Sequence, residues 1–158
     1  MSAPCVRPAA EPDLDLLVAF NLAMARETED LALDPACLLR GVRSVLGDPD
    51  RGRYLVAELD GEPAGALMLT REWSDWRDGW FWWIQSVYVE PRARRRGVYT
   101  ALYRAVLDQA RAAGDVRGVR LYVERANHAA QLTYERLGMR PAHYHMYEVA
   151  LAPAPTPG

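Results

Sequence analysis

Four arginines, Arg92, Arg94, Arg95 and Arg96, stand in the five residues before Gly97, and a run with helical spacing follows at once in "RARRRGVYTAL". A helix N-terminus carries unpaired backbone N–H groups and a partial positive charge. A glycine there lets an anion approach the backbone, and guanidiniums add charge and paired hydrogen bonds. The stretch can therefore hold a pyrophosphate. A solvated basic loop and a nucleic-acid contact fit the same residues. Neither G-x-x-x-x-G-K-S/T nor G-x-G-x-x-G occurs, which argues against a P-loop or a dinucleotide fingerprint.

Other side chains could move protons. Asn127 and Tyr134 are two helical turns apart, with Gln131 between them on the same face. Asn127 also suits a helix N-cap, and Tyr134 also suits a core aromatic. Glu27 and Glu29 close the first helical pattern in "RETED", which also suits an ordinary solvated helix end. Glu124, His143 and His145 are further candidates. Five tryptophans fall within residues 73–83. Trp83 is expected in the core, and Trp80 and Trp82 are expected to share a face. Aromatic walls with Glu27, Glu29, Asp75 and Asp78 would suit a cationic amine, and an oligomer interface would use the same tryptophans.

The elements that must position these residues can be read from periodicity. "PCVRPA" is a short strand. Helical spacing predicts helices over roughly 13–29 and 35–46, the second opened by "DP" and stopped by "GDPDRG". "RYLVAELDGEPAGALMLT" is a hairpin about Asp60-Gly61, because glycine tolerates the positive φ of a tight turn. "EWSDWRDG" is read as a loop or strand edge and "WFWWIQSVYV" as a long strand. A helix runs from Gly97 towards a stop at Gly114. "GVRLYVE" is a strand, "NHAAQLTYERLG" a short helix and "HYHMYEVAL" a closing strand. The order is βααβββαβαβ, which mixes hairpins with helical crossovers and implies one mixed α/β sheet. One domain over residues 1–150 is expected, with a flexible Pro/Ala-rich tail over 151–158.

Bulk properties narrow the classes. The chain has 158 residues, half of them hydrophobic and a quarter charged, with net charge −2. That balance opposes a general nucleic-acid binder, for which a domain pI above ~9 is usual. An anion site must be local. All 19 basic residues are arginine. Cys5 and Cys37 lack metal-type spacing and fit reduced thiols. No apolar signal core or membrane-length run occurs, so a cytoplasmic protein without membrane or nucleic-acid partners is expected.

"VYVEPRARRRGVYTAL" resembles the coenzyme A motif of the GNAT superfamily of N-acetyltransferases. That motif is a strand with V-x-P near its end, then Q/R-x-x-G-x-G/A, then a helix. Val89, Pro91, Arg94 and Gly97 match it in spacing. "NHAAQLTYERLGM" resembles the second family signature at Asn127, Ala130, Tyr134, Leu137, Gly138 and Met139. The element order is similar as well. The resemblance implies a GNAT-like fold whose central strands splay to hold acetyl-CoA as co-substrate, with no metal. It implies that Val87, Tyr88 and Val89 pair with the pantetheine arm. The amides from Arg95 through Gly97, Val98 and Tyr99 to Thr100 would seat the pyrophosphate, with Arg94, Arg95 and Arg96 supplying charge. Asn127, Ala130 and Tyr134 would face the cofactor, with Tyr134 near its sulfur.

The activity implied is transfer of acetyl to a primary amine of a small molecule or peptide, and a homodimer is compatible with it. A non-catalytic acyl-CoA sensor is the alternative. The third motif position is Tyr99 rather than Gly or Ala, and its ring is expected to pack on the helix flank. Histone-modifying members carry a Glu at the position of Trp83, which cannot act as a base. The resemblance implies that the acceptor wall lies at the end of the first helix, with Glu27 as the first candidate for proton acceptor.

Overall fold

The computed structural model describes residues 2–152. The expected tail lies, from residue 153 onward, outside the described residues. Two compact units are present, one ending at Asn127 and the other beginning at His128.

The first unit is built on a five-stranded mixed sheet in the order β1-β2-β3-β4-β5. Its strands are β1 (Cys5–Pro8), β2 (Arg53–Leu59), β3 (Glu62–Ser74), β4 (Gly79–Val89) and β5 (Val116–Arg120). The first three junctions are antiparallel and β4–β5 is parallel. The expected hairpin forms at Asp60 and Gly61, with φ of 56° and 83°. Both residues take the left-handed values that a two-residue hairpin turn requires. Helices α1 (Leu14–Glu29) and α2 (Pro35–Gly47) lie between β1 and β2, and α3 (Val98–Ala113) lies between β4 and β5. Asp34 caps α2 by accepting from the Ala36 N–H at 3.1 Å. Gly114, at φ 81°, ends α3.

Period-two alternation sends β2 and β3 side chains to two cores. Tyr54, Val56, Ala66 and Tyr88 pack with Leu14, Leu17, Phe20 and Val42 under α1 and α2. Leu55, Leu67, Leu69 and Ile84 are buried too. They alternate with the first set and share the face covered by α3, whose Val98, Leu102 and Val106 are fully buried.

"EWSDWRDG" is not one loop. β3 continues through Ser74, so Glu72 and Trp73 lie on a strand, and only the residues between Ser74 and Gly79 turn. β5 lies earlier than "GVRLYVE", ending at Arg120. In the second unit, α4 (His128–Arg136) is the one regular element among the described residues. Its end is closed by Gly138 at φ 96°, with Gly138 N–H on Glu135 O at 3.0 Å and Met139 N–H on Tyr134 O at 3.0 Å. The closing strand expected over "HYHMYEVAL" is not a strand of this unit. A strand exists only by pairing, and none of the described ladders includes these residues.

Gly65 fixes how closely β3, β4 and α3 approach. A Cβ there would meet Tyr88 O at 2.8 Å and Val98 Cγ1 at 3.0 Å. Gly65→Ala is expected to destabilise the protein by about 1–3 kcal/mol, as overpacking does. Urea unfolding measures this, and an unchanged midpoint would contradict the packing described.

Candidate functional site

The β3–β4 and β4–β5 ladders stop at different places. β4 pairs with β3 to its last residue, Val89, opposite Gly65. With β5 it pairs only as far as Trp83, opposite Arg120. From Ile84 to Val89 one edge of β4 therefore carries no strand among the described ladders. A bulge lies within that stretch, where β3 register shifts between Ala66 and Met68 and Ser86 takes φ 51°. A bulge bends the strand and increases its twist, which re-aims the residues beyond it. Val87, Tyr88 and Val89 occupy this edge. The Tyr88 ring is buried against Phe20 at 5.1 Å. That side chain faces the α1–α2 core, so what β4 offers at its open edge is backbone.

The edge leads directly into the basic turn. A short 3-10 turn, Pro91–Ala93, follows β4, then residues 94–97 turn into α3. Arg95 (φ 63°) and Gly97 (φ 81°) are both left-handed. The first hydrogen bond of α3 runs from Ala101 N–H to Gly97 O at 2.9 Å. The N–H groups of Arg95, Arg96, Gly97, Val98 and Thr100 find no backbone acceptor among the described residues. A Cβ built on Gly97 would meet nothing within 4 Å, so the space before the amides is open. Two left-handed residues followed by a helix start give a concave set of amides with the helix dipole behind it, which suits a phosphate.

The arginines are not equivalent. Arg92 pairs with Glu90 at 2.6 Å and donates to Pro63 O at 2.8 Å. Arg96 pairs with Asp60 at 2.8 Å. The Ser2 hydroxyl, then Arg96, hold the Asp60 carboxyl down to about 2. Arg94 donates to Val89 O at 3.0 Å and pairs with Glu27 at 2.6 Å. Arg95 makes no side-chain hydrogen bond or ion pair among the described residues, so its charge is uncompensated. Tyr99 stacks on Tyr103 one turn along α3, at 6.2 Å and 27°. Its ring thus lies along the helix flank.

Glu27 is brought to the site, and its partners were not legible from sequence. Its carboxylate binds Arg94, and the Tyr88 hydroxyl donates to it at 3.4 Å. Burial, then the Glu27 charge, pushes the Tyr88 hydroxyl pKa up. The Arg94–Glu27 pair is nearly half exposed, which puts it in the class worth roughly 0.2–1 kcal/mol. Glu29 is exposed at the end of α1. Asp75 accepts from the Trp76 N–H at 2.9 Å, and Glu124 from the Ala126 N–H at 2.6 Å. Asn127 donates its backbone N–H to Glu124 O at 3.0 Å. In the second unit, Ala130 and Tyr134 lie one turn apart on α4, and burial raises the Tyr134 pKa. His143 packs on Tyr144 at 4.2 Å.

Trp83 corrects the expectation of a core residue. It is only partly buried, and its indole N–H donates to Glu72 at 3.1 Å. The buried tryptophan is Trp82, on the α3 face with Arg53 stacked over it at 4.5 Å. Trp80 shares that face as expected, beneath Arg71 at 4.5 Å. No group of three or more His, Cys, Asp or Glu residues that could hold a metal occurs among the described residues. No helix among them is long and apolar enough to cross a membrane.

The profile of the family described as acetyltransferase (GNAT) matches residues 18–139. A solved structure of a possible acetyltransferase from Clostridium difficile 630 is 39% identical, with a TM-score of 0.89 over 96% of this chain and 99% of that one. AAC(6')-Iy, solved with the bisubstrate analogue CoA-S-monomethyl-acetylneamine, shares the fold at 18% identity and TM-score 0.75, over 96% and 100% of the two chains. A predicted acetyltransferase from Clostridium acetobutylicum, solved with acetyl-CoA, shares it at 16% identity and TM-score 0.74, over 92% and 96%. No curated protein matches the sequence.

The left-handed turn at Gly97 makes a direct prediction. An alanine there has room but must hold an unfavourable φ, so Gly97→Ala should cost about 1–2 kcal/mol. Urea unfolding with unchanged stability would show that the turn is not left-handed at this residue.

Proposed function

Because this chain belongs to the acetyltransferase (GNAT) family and is an acyltransferase, we propose that it moves an acetyl group from acetyl-CoA to a primary amine of a small molecule or peptide, by direct attack of the amine on the thioester. The observation that carries this reading is the open β4 edge from Ile84 to Val89, running straight into the amide cradle before α3. Acetyl-CoA, when bound, supplies the thioester whose carbonyl carbon is the electrophile.

The residues present fit that group. The backbone of Val87, Tyr88 and Val89 offers hydrogen bonds to an extended amide-bearing arm, as an added strand would. The amides of Arg95 to Thr100 would hold the pyrophosphate. Arg95 brings unpaired charge to it, and Arg94 and Arg96 could exchange exposed carboxylate partners for phosphate oxygens. The Tyr99 ring stacks along the helix, so the missing small residue at this motif position leaves the backbone approach intact. The resemblance of "NHAAQLTYERLGM" to the second family signature supports Asn127, Ala130 and Tyr134 as further residues that would face the cofactor.

Magnitudes assign the role of Tyr134. A thiol has pKa ~8.5 and tyrosine ~10, so full proton transfer to the leaving thiolate is already uphill by about 2 kcal/mol. Burial pushes the Tyr134 pKa further up. Tyr134 therefore stays protonated through neutral pH and acts as a hydrogen-bond donor to charge developing on the sulfur. The amine must also lose a proton. From pKa ~10.4 at pH 7 this costs about 4–5 kcal/mol. Glu27, ion-paired with Arg94, supports a positioning role for that arginine. It can act as a base only when the pair opens, and water is the other acceptor.

Amine-dependent thiol release from acetyl-CoA tests the reading. Tyr134→Phe should lower kcat by about 10²-fold or more, the range for loss of one donor to developing charge, with acetyl-CoA affinity little changed. An unchanged kcat would remove Tyr134 from the chemistry. Because the raised pKa keeps the hydroxyl protonated, no loss of rate from this residue is expected on the alkaline side until pH passes ~10.

A further inference from the structure

Met68 packs against the core under α1 and α2, and strand alternation puts Thr70 and Glu72 on the same face. Register places Gln85, Trp83 and Phe81 opposite these three residues. Side-chain bonds agree: Gln85 donates to Thr70 at 2.6 Å and the Trp83 indole to Glu72 at 3.1 Å. This is a polar and aromatic strip on one face of the sheet. It ends at the last rung of the β4–β5 ladder, where Trp83 meets Arg120. The strip therefore reaches the mouth of the opening along β4.

Within it, the Glu72 carboxylate is held but not filled. Arg120 approaches both of its oxygens at 3.4 Å. That is well outside the ~2.7–2.9 Å of a charge-assisted bond. Arg120 is held instead by Phe81, with its guanidinium carbon over the ring at 3.6 Å. The Trp83 indole fixes Oε1, so Oε2 retains acceptor capacity. The Glu72 side chain is 44% exposed, which leaves it accessible. An anion with a spare oxygen beside the partly buried Trp83 ring suits an alkylammonium or its neutral amine. Either form donates N–H to the carboxylate, and the Trp83 ring adds cation–π attraction to the charged one.

Resting on the reading of the chain as an amine acetyltransferase, we propose that Glu72, oriented by the Trp83 indole, binds the acceptor amine at the mouth of the β4–β5 opening. Its role is binding rather than proton abstraction.

The test uses the full chain with phenethylamine, cadaverine and spermidine as acceptors and acetyl-CoA as donor. Glu72→Gln should raise KM for the best of these amines at least tenfold, with kcat within about threefold. The melting shift caused by acetyl-CoA should be unchanged, which also shows that the variant folds. Trp83→Phe, which removes the orienting N–H and narrows the ring, should raise the same KM by a smaller factor. In the wild type, the amine should move the Trp83 indole N–H resonance, identified by its loss in Trp83→Phe. An unchanged KM in Glu72→Gln, or an indole resonance that ignores the amine, overturns the assignment. In those cases amine-dependent thiol release by the wild type still upholds the function. A wild type that releases no thiol with any of the amines overturns the functional reading, and this assignment with it.

Discussion

The structure of the first unit turns on one mismatch in hydrogen bonding. β4 is a single strand with two partners, and it outlasts one of them. Its pairing with β5 ends at Trp83, while its pairing with β3 continues to Val89. An interior strand normally satisfies its backbone on both sides. Here part of one side is open, and the bulge at Ser86 bends the chain just where the partner is lost. The turn at Pro91–Ala93 then delivers the chain to the start of α3. An open strand edge and an open helix end thus become neighbours in sequence and in space. Together they present a backbone surface, which in the proposed function receives acetyl-CoA.

Side chains adjust that surface rather than create it. Two of the three arginines beside Gly97 are tied to carboxylates from distant elements, Arg94 to Glu27 on α1 and Arg96 to Asp60 in the β2–β3 hairpin. These pairs are exposed enough to be individually weak. They hold the arginines ready in place, at a modest cost to undo. The strip on β3 and β4 that continues from Met68 behaves differently. There Phe81, Trp83, Arg120 and Glu72 interlock by stacking and hydrogen bonding. In the proposed function the acetyl donor is read by backbone, and the acceptor by side chains.

What the sequence made legible was local. The hairpin at Asp60-Gly61, the glycine turn at Gly97 and the helix stop at Gly138 each require a left-handed residue, and glycine marks them. Helix limits followed from apolar spacing. Partners far apart in sequence were not legible. Nothing in "RETED" indicates that Glu27 meets Arg94, because that contact depends on how α1 lies across the sheet. Trp82 and Trp83 are both aromatic and adjacent, and only the helix covering each face decides which is buried. Glu72 was missed for a related reason. The polar composition of "EWSDWRDG" suits a loop or strand edge, while cross-strand pairing through Trp73–Trp80 and Ser74–Gly79 extends β3 over its first three residues.

The central claim is that the backbone of β4 beyond Trp83 and the amides before α3 form one binding surface. Amide hydrogen exchange with and without acetyl-CoA tests it most directly. The account predicts that residues 84–89 and 95–100 are slowed together, at least tenfold at saturating acetyl-CoA, while β1 and α2 are unaffected. Saturating acetyl-CoA that leaves both segments exchanging at their original rates would contradict it.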